Sequence, residues 1–196
     1  NYLTIPIDPT GVIGGFQENY GMFDGEVFLF TGGFFLSGKK GNELWANGIM
    51  TASRIADYQA GPVGSNPYSG DHRLYVVDNS DPHFGTSWQN WRDAVDLGAD
   101  FYDGDRDGIY NPVDKNGNGI WDHDEDRPDL IGNVTVWSVI NDGVPKQMRR
   151  FNIDPQGIEV HQTFFAFGNT EYSLANTFFV RYRIFNKSDS PFTDIY

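Results

Sequence analysis

The chain has 196 residues, a formal net charge of -13, 39% hydrophobic residues and no cysteine. Because an acidic surface repels phosphates and anionic lipids, this charge argues against nucleic acid or an anionic membrane as a partner. The absence of cysteine excludes disulfides, zinc thiolates and cysteine nucleophiles, and no apolar run approaches the roughly 18 residues of a membrane-spanning helix.

Residues 1–99 are predicted to form a β-rich part. Aromatic residues make up 16% of the chain and lie among glycine-rich turns, a composition typical of strands. A turn at 39–42 is expected to lead into a hairpin, whose second strand carries Leu44, Ala46, Gly48 and Met50 on one face. The short strands predicted across the chain are 26–31, 33–37, 73–77 and 135–140.

One short helix is predicted near 87–97. Ser87 is its expected N-cap, and Gly98 is its expected stop. The three- and four-residue spacing of its apolar side chains places them on one face. Those side chains are Trp88, Trp91 and Val95.

More than half of the net charge lies in residues 100–129, which contain ten acids and three bases. A solvated acidic loop is the plain interpretation of such a run, but this run has a pattern. Residues 103–114 fit D-x-D-x-D-G-x-x-N-x-x-D, with oxygen donors at positions 1, 3, 5, 9 and 12 and glycine at position 6, as in a calcium loop. The pattern repeats after 11 residues over 114–125. Residues 100–129 are therefore predicted to form tandem calcium loops.

Each loop is predicted to bind the ion through side chains at those five positions and through the backbone carbonyl at position 7. The set of the first loop is Asp103, Asp105, Asp107, Ile109, Asn111 and Asp114. The set of the second is Asp114, Asn116, Asn118, Ile120, Asp122 and Glu125. Asp114 is thus expected to close one loop and open the next, and the asparagines predict a weaker second site. The side chains of Ile109 and Ile120 are expected to turn into a core.

The sequence around the loops does not favour an EF-hand, because Pro112 and Pro128 disfavour helix immediately before them. The tandem arrangement resembles the calcium loops of thrombospondin type 3 repeats and dockerins, in which consecutive D-x-D-x-D-G motifs share acids. This resemblance covers residues 103–125. It implies calcium binding and does not specify a function.

The C-terminal part is predicted to contain two long strands, 157–167 and 177–185, whose side chains alternate between two faces. Adjacent strands with one dry face each indicate an antiparallel sandwich. Across these strands, Glu159 is expected to pair with Arg181 or Arg183. The predicted fold class is all-β, an antiparallel β-sandwich with an inserted calcium-binding loop segment and one short helix.

Residues 130–196 are expected to form a sandwich that is incomplete at its C-terminal edge. A strand begins at Phe192 and stops after a few residues, and a sandwich cut there would leave unpaired backbone groups. This predicts that the chain is the N-terminal portion of a longer polypeptide, or that a neighbouring chain adds a strand. The aromatic-rich stretch 16–35 is the expected contact surface.

Five short runs taken together resemble the N-terminal region of large secreted proteins of Bacteroidota and related phyla, which are similar to substrates of type IX secretion. This resemblance implies an extracellular or cell-surface location and identifies no catalytic residue. The runs are GFFLSG at 33–38, GNEL at 41–44, WQNW at 88–91, GIEVHQT at 157–163 and FVRYRIFNKS at 179–188.

The expected function is a non-enzymatic, calcium-stabilised structural or adhesive component of a cell-surface protein or assembly. No H-E-x-x-H, G-x-S-x-G or phosphate-loop motif occurs. Glu43, Asp57 and Glu159 are carboxylates of the kind glycosidases use, but any chain of this size supplies such residues by chance. Apart from calcium, the expected partners are other protein chains or the remainder of a longer polypeptide.

The alternative is a carbohydrate-binding module, because calcium-containing β-sandwiches can stack sugars on flat aromatic faces. Exposed coplanar rings in a groove would favour sugar binding, and buried rings would favour a structural part. Trp121, inside the second loop, is the tryptophan most expected to be exposed. The full pool is Trp45, Trp88, Trp91, Trp121 and Trp137.

Overall fold

The computed structural model describes residues 2–15, 19–49, 57–168 and 173–196. The chain divides into two compact units, unit one from residues 1–72, 139–162 and 182–196 and unit two from residues 73–138 and 163–181. The helix α1 spans Thr86–Asp96, and short 3-10 helices lie at Lys146–Met148 and Ser173–Asn176. The strands in chain order are β1 Leu3–Thr4, β2 Gly21–Phe23, β3 Glu26–Leu29, β4 Phe35–Lys40, β5 Glu43–Gly48, β6 Gln59–Ala60, β7 Tyr75–Asp78, β8 Phe101–Tyr102, β9 Arg127–Pro128, β10 Val134–Asn141, β11 Ile158–Ala166, β12 Phe178–Asn186 and β13 Phe192–Thr193.

Over the described ranges, these strands form several antiparallel sheets. Their orders are β1-β2-β3, β12-β11-β10-β6 with β7 also on β10, β13-β4-β5, and β8-β9. The prediction of an all-β fold with one short α-helix is confirmed at this level. Within the same ranges, no helix combines the length and the apolarity needed to cross a bilayer.

The predicted hairpin is formed by β4 and β5, with a shorter turn than expected. The two strands stay paired up to a two-residue turn at 41–42. The buried face of β5 carries Trp45 and Asn47, while Leu44 on the other face is 74% exposed. Met50, expected to share the face of Leu44, lies outside the described residues.

The C-terminal residues pair within unit one. β13 lies beside β4, and Tyr196 and Ser37 exchange two backbone hydrogen bonds of 3.0 Å each. One side of β13 is therefore paired, and β13 is the edge strand of the sheet β13-β4-β5. The expectation that another strand adds at this edge stays a prediction.

The core of unit one is apolar around the β4–β5 hairpin. The ring of Phe34 lies 5.8 Å from that of Tyr58, and the ring of Trp45 lies 5.2 Å from that of Phe192. Burial of this surface is the main favourable term in folding. The buried members are Val12, Leu36, Trp45, Ile49, Tyr58, Ile140, Ile158 and Val160.

A buried ion network lies in the same unit. The side chain of Arg149 is 1% exposed and lies 3.7 Å from Asp57 and 3.6 Å from Asp142. Asp57 also accepts two backbone N–H groups and Asp142 accepts three. The hydroxyl of Tyr58 donates to Asn47 at 2.8 Å, and burial raises the pKa of Tyr58 far above its ordinary value. The two carboxylates persist in the core because they are hydrogen-bonded and face the charge of Arg149. Within the described residues, Nε and Nη2 of Arg149 have no hydrogen-bond partner.

The helix of unit two begins one residue earlier than predicted. Its N-cap is Gly85, which has no side chain to cap with, so the prediction of Ser87 as the cap is wrong. The predicted Val95 is half-buried, and Ala94 completes the buried face instead. The buried residues of α1 are Trp88, Trp91 and Ala94.

Strand β11 is buried on both faces over residues 158–164. Glu159 lies 3.1 Å from His161 and 3.1 Å from Lys187. Of the two predicted partners of Glu159, Arg181 is wrong, since it pairs with Asp129 at 2.9 Å. The alternative, Arg183, stays a prediction. The alternating pattern predicted only one buried face of β11, because the other face carries the polar residues Glu159, His161 and Thr163.

We predict that Arg149→Ala destabilises the protein by about 3–5 kcal/mol, because it leaves two carboxylates buried without their counter-charge. Arg150→Ala is the matched control, since this neighbour is exposed and keeps its backbone N–H bond to Asp57; its change should stay within about 0.5 kcal/mol. Urea unfolding of both variants measures the difference. Equal stability of the two variants would contradict a stabilising network.

Candidate metal centre

A two-stranded ladder in unit two anchors the acidic segment at both ends. β8 and β9 pair with Tyr102 opposite Arg127. Continuing this register places the next residues, Asp103 and Asp126, at neighbouring positions. Residues 103–126 therefore form a long connection between β8 and β9. Its first and last carboxylates, those of Asp103 and Asp126, lie next to the ladder.

The first loop folds around its own carboxylates. Asp103 accepts the backbone N–H groups of Asp107 at 3.2 Å and Gly108 at 2.9 Å. Asp105 accepts the N–H of Asp107 at 3.4 Å, and Asp107 accepts that of Ile109 at 2.7 Å. Gly108 has φ +78°, a conformation that favours glycine. The side-chain oxygens at positions 1, 3 and 5, which are the predicted metal ligands, are thus oriented by hydrogen bonds from the loop backbone.

The second loop repeats these bonds at equivalent positions. Asp114 accepts the N–H groups of Asn118 at 3.2 Å and Gly119 at 2.7 Å. Asn116 accepts the N–H of Asn118 at 3.0 Å, and Asn118 accepts that of Ile120 at 2.7 Å. Gly119 has φ +76°, as the matching glycine of the first loop has +78°. The 11-residue repeat in sequence is therefore also a repeat in backbone structure.

Glu125 closes the second loop from inside the protein. It is 1% exposed, and its two oxygens accept the N–H groups of Lys115 at 2.6 Å and Asp122 at 2.9 Å. These donors occupy positions 2 and 9 of the loop. Asp122 in turn accepts the side-chain amides of Asn116 at 2.7 Å and Asn118 at 3.0 Å.

Asp126 occupies the corresponding place in the first loop. It is 2% exposed and accepts the N–H groups of Gly104 at 2.9 Å and Asn111 at 2.7 Å, which again are positions 2 and 9. Carboxylate oxygens of Asp103, Asp105 and Asp126 lie within 4.8 Å of one another, close enough to hold a metal ion. The adjacent acids 125 and 126 thus close one loop each.

The structure brings Asp103 and Asp105 together with Asp126, a residue that the motif spacing missed. The carboxylate of Asp114, expected to close the first loop, accepts backbone N–H groups of the second loop. The sequence signal that could have identified Asp126 is a second acid directly after Glu125 and directly before strand β9.

The isoleucines at position 7 face outward. Ile109 is 66% exposed and Ile120 is 61% exposed. The expectation that both side chains enter a core is wrong. Their backbone carbonyls are still the atoms that a calcium loop uses at this position, so exposure of the side chains does not affect the predicted ligand role.

Helix α1 supports the exit of the first loop. Arg92 donates to the carbonyl of Tyr110 at 3.2 Å and to the side-chain oxygen of Asn111 at 2.8 Å. Gln89 donates to the carbonyl of Pro112 at 3.0 Å. Asn111, a predicted ligand, therefore has its side-chain oxygen engaged by the helix.

The charges of the loops are only partly offset by the protein. Lys115 lies 3.1 Å from Asp105, and this hydrogen bond lowers the pKa of Asp105. Backbone N–H groups, that of Gly119 first, hold the pKa of Asp114 below its ordinary value. Both carboxylates are thus prepared to stay ionised. The first loop has four carboxylates, at 103, 105, 107 and 126, and the second has three, at 114, 122 and 125.

The carboxylates considered for glycosidase chemistry have other surroundings. Glu43 is exposed, and Asp57 belongs to the buried ion network. Burial raises the pKa of Glu159, but hydrogen bonds from a backbone N–H, His161 and Lys187 outweigh it and hold the pKa low. Burial lowers the pKa of His161. An ionised carboxylate with these fixed partners serves the packing of unit one.

Four of the five tryptophans are buried in the core, and only Trp121 is partly exposed. Trp121 is half-buried, and its ring lies under the guanidinium of Arg127, 4.6 Å from it. The other four have exposures of 3% or less, which favours a structural role over a sugar-stacking one. They are Trp45, Trp88, Trp91 and Trp137.

No protein-family model, curated protein or solved structure matches the chain. The resemblances to type IX secretion substrates and to thrombospondin type 3 and dockerin loops therefore stay predictions from the sequence.

We predict that the two loops lose calcium independently. Asp126→Asn should remove binding at the first loop, and Glu125→Gln or Asp114→Asn should remove it at the second. Each loss should exceed the roughly 10–100-fold that removal of an outer-shell partner typically costs. Isothermal titration calorimetry of the variants measures the number of ions and each affinity.

The matched control for this series is Asp124→Asn, since Asp124 is exposed and lies beside the closing acids. Its binding should equal that of the unchanged protein. Loss of both ions in Asp114→Asn would instead show that Asp114 is shared between the loops.

Proposed function

We propose that this chain is a non-enzymatic, calcium-stabilised structural or adhesive component of an extracellular surface protein or assembly. The observation that carries the proposal is that both loops repeat the same set of side-chain-to-backbone hydrogen bonds. In both loops the opening aspartate and the side chains at positions 3 and 5 accept backbone N–H groups at equivalent positions. In both, a buried acid, Asp126 for the first loop and Glu125 for the second, accepts the N–H groups at positions 2 and 9. An unpatterned solvated acidic loop has no reason to repeat these bonds.

The chemistry of the donors favours calcium over other ions. All side-chain donors of both sets are carboxylate or amide oxygens, which hard cations prefer. Magnesium demands compact octahedral geometry and usually keeps several waters, whereas calcium accepts six to eight oxygens in flexible geometry. Excess negative charge at the base of the loops makes a divalent cation favourable there.

Bound ions would stabilise unit two through the β8–β9 ladder. Asp103 and Asp126 lie at the two ends of the segment, so an ion held by both links the strands across the ladder. The first loop is also tied to α1 through Arg92. An extracellular setting fits this role, since extracellular modules bind calcium at about 0.1–1 mM.

The partners in this proposal are other protein chains or the remainder of a longer polypeptide. Exposed aromatic side chains of the N-terminal part support it, among them Phe28 at 54%, Phe30 at 68% and Phe35 at 55%, since apolar surface of this kind marks interaction sites. Phe16, at the start of the predicted contact surface, lies outside the described residues. The antiparallel sandwich predicted from the sequence belongs to the same proposal.

We predict that excess chelator lowers the melting temperature. Calcium at about 100 times its dissociation constant adds roughly 2.7 kcal/mol per site, which corresponds to about 5–10 °C for a domain of this size. Differential scanning calorimetry in chelator and in excess calcium measures the shift. Magnesium at equal concentration controls for screening of the acidic charge.

Asp124→Asn should keep the full calcium shift, and Asp126→Asn should lose part of it. A melting temperature that is the same in chelator and in calcium would overturn the proposal of a calcium-stabilised fold.

A further inference from the structure

A small pocket lies in unit two beside the second loop. Its cavity volume is about 190 Å³, below the roughly 300–1,000 Å³ of pockets that bury drug-sized ligands. It therefore has room for one small ring. Its lining includes Asp78, Asn79, Asp81, His83, Trp121 and Arg127.

The aromatic wall of the pocket is held from two sides. The backbone N–H of Trp121 donates to Nδ1 of His83 at 2.8 Å, which leaves the His83 proton on Nε2. The indole N–H of Trp121 donates to the carbonyl of Glu125 at 2.8 Å. Trp88, 2% exposed, packs with its ring 5.1 Å from that of His83. These contacts make a fixed wall with apolar ring surface.

Arg127 supplies hydrogen-bond donors. Its guanidinium lies 4.6 Å from the ring of Trp121 and 5.6 Å from that of Tyr102. Within the part of the chain that the structure describes, its Nε is buried and has no hydrogen-bond partner. The other guanidinium N–H groups of Arg127 are not buried in this way, and they are the donors that an acceptor on a ligand could reach.

Two carboxylates supply acceptors. One oxygen of Asp78 accepts the N–H and hydroxyl of Ser80 at 2.8 Å and 2.6 Å, and one oxygen of Asp81 accepts the N–H of Asp78 at 3.0 Å. Among the described residues, the second oxygen of each carboxylate has no hydrogen-bond donor. The amide of Asn79 adds one more donor and acceptor pair.

This combination selects the ligand by charge. An anion would meet the carboxylates of Asp78 and Asp81, and a simple cation would leave the donors of Arg127 unmatched. Hydroxyl groups both donate and accept, so neighbouring hydroxyls on one ring can satisfy a carboxylate and a guanidinium together. The C–H surface of such a ring suits the aromatic wall.

We propose that this pocket binds one neutral sugar ring, with Asp78, Asp81 and Arg127 bonding its hydroxyls and Trp121 and His83 facing its apolar side. This goes beyond the structural role proposed above and does not require it. One extension does rest on that role, namely that calcium in the second loop strengthens sugar binding. Trp121 and Arg127 flank the closing acids in the chain, and Trp121 is bonded to Glu125.

The test is a titration of the calcium-loaded chain, followed by NMR at the Trp121 indole N–H. The probes are the methyl glycosides of glucose, mannose and galactose, with glucuronate and glucosamine as charged counterparts. At least one neutral glycoside should shift the resonance saturably and bind at least tenfold more tightly than the charged sugars. A disaccharide with the same terminal ring distinguishes a glycan end from a free sugar.

Two variants of pocket residues test whether the sugar binds in the pocket. Asn79→Ala and Asp81→Asn should each weaken binding at least tenfold, and Asp81→Asn keeps an oxygen for the N–H of Asp78. Asp124→Asn, outside the pocket, should bind as the unchanged protein does. The proposal would be overturned if no neutral glycoside gave a saturable shift. It would also be overturned if the pocket variants bound the sugar as tightly as the unchanged protein.

The chelator arm separates the two proposals. If calcium raises the melting temperature but no sugar binds, the pocket proposal fails and the calcium proposal stands. If sugar binds and chelator changes neither affinity nor melting, the pocket proposal stands and the calcium proposal fails.

Discussion

The pairing of Tyr102 with Arg127 is the constraint on which the acidic segment depends. It fixes the two ends of residues 103–126 at adjacent positions. The pairing of β8 with β9 therefore offsets the entropy cost of closing this long loop. The strand register also determines which of the two buried acids, Glu125 or Asp126, bonds to each loop. Because the strands run antiparallel, the residue before Arg127 comes beside the residue after Tyr102, and Asp126 closes the first loop.

The loops balance charge with backbone donors. A segment with ten acids and three bases would repel itself, yet its carboxylate and amide oxygens at positions 1, 3 and 5 accept N–H groups from the same loop. The buried acids Glu125 and Asp126 each accept two more. These bonds orient the carboxylates without neutralising them. We propose that a divalent cation completes this arrangement, since Lys115 neutralises charge only locally at Asp105.

Local patterns predicted the local features. The hairpin, the helix, both long strands and the repeat of the loops followed from alternation, apolar spacing and glycine positions. The features that were missed depend on partners distant in sequence. Asp126 is placed by strand register, and the buried pair of Asp57 and Arg149 joins residues far apart in the chain. Ile109 was assigned to a core because its position is apolar, but the loop carries it into solvent.

An anomalous difference map from crystals grown in calcium should show two separate ions. We expect one to be contacted by Asp103, Asp105 and Asp126 and the other by Asp114 and Glu125. A map with no ion in residues 103–126, or with Asp114 bridging two ions while Asp126 contacts neither, would contradict this expectation.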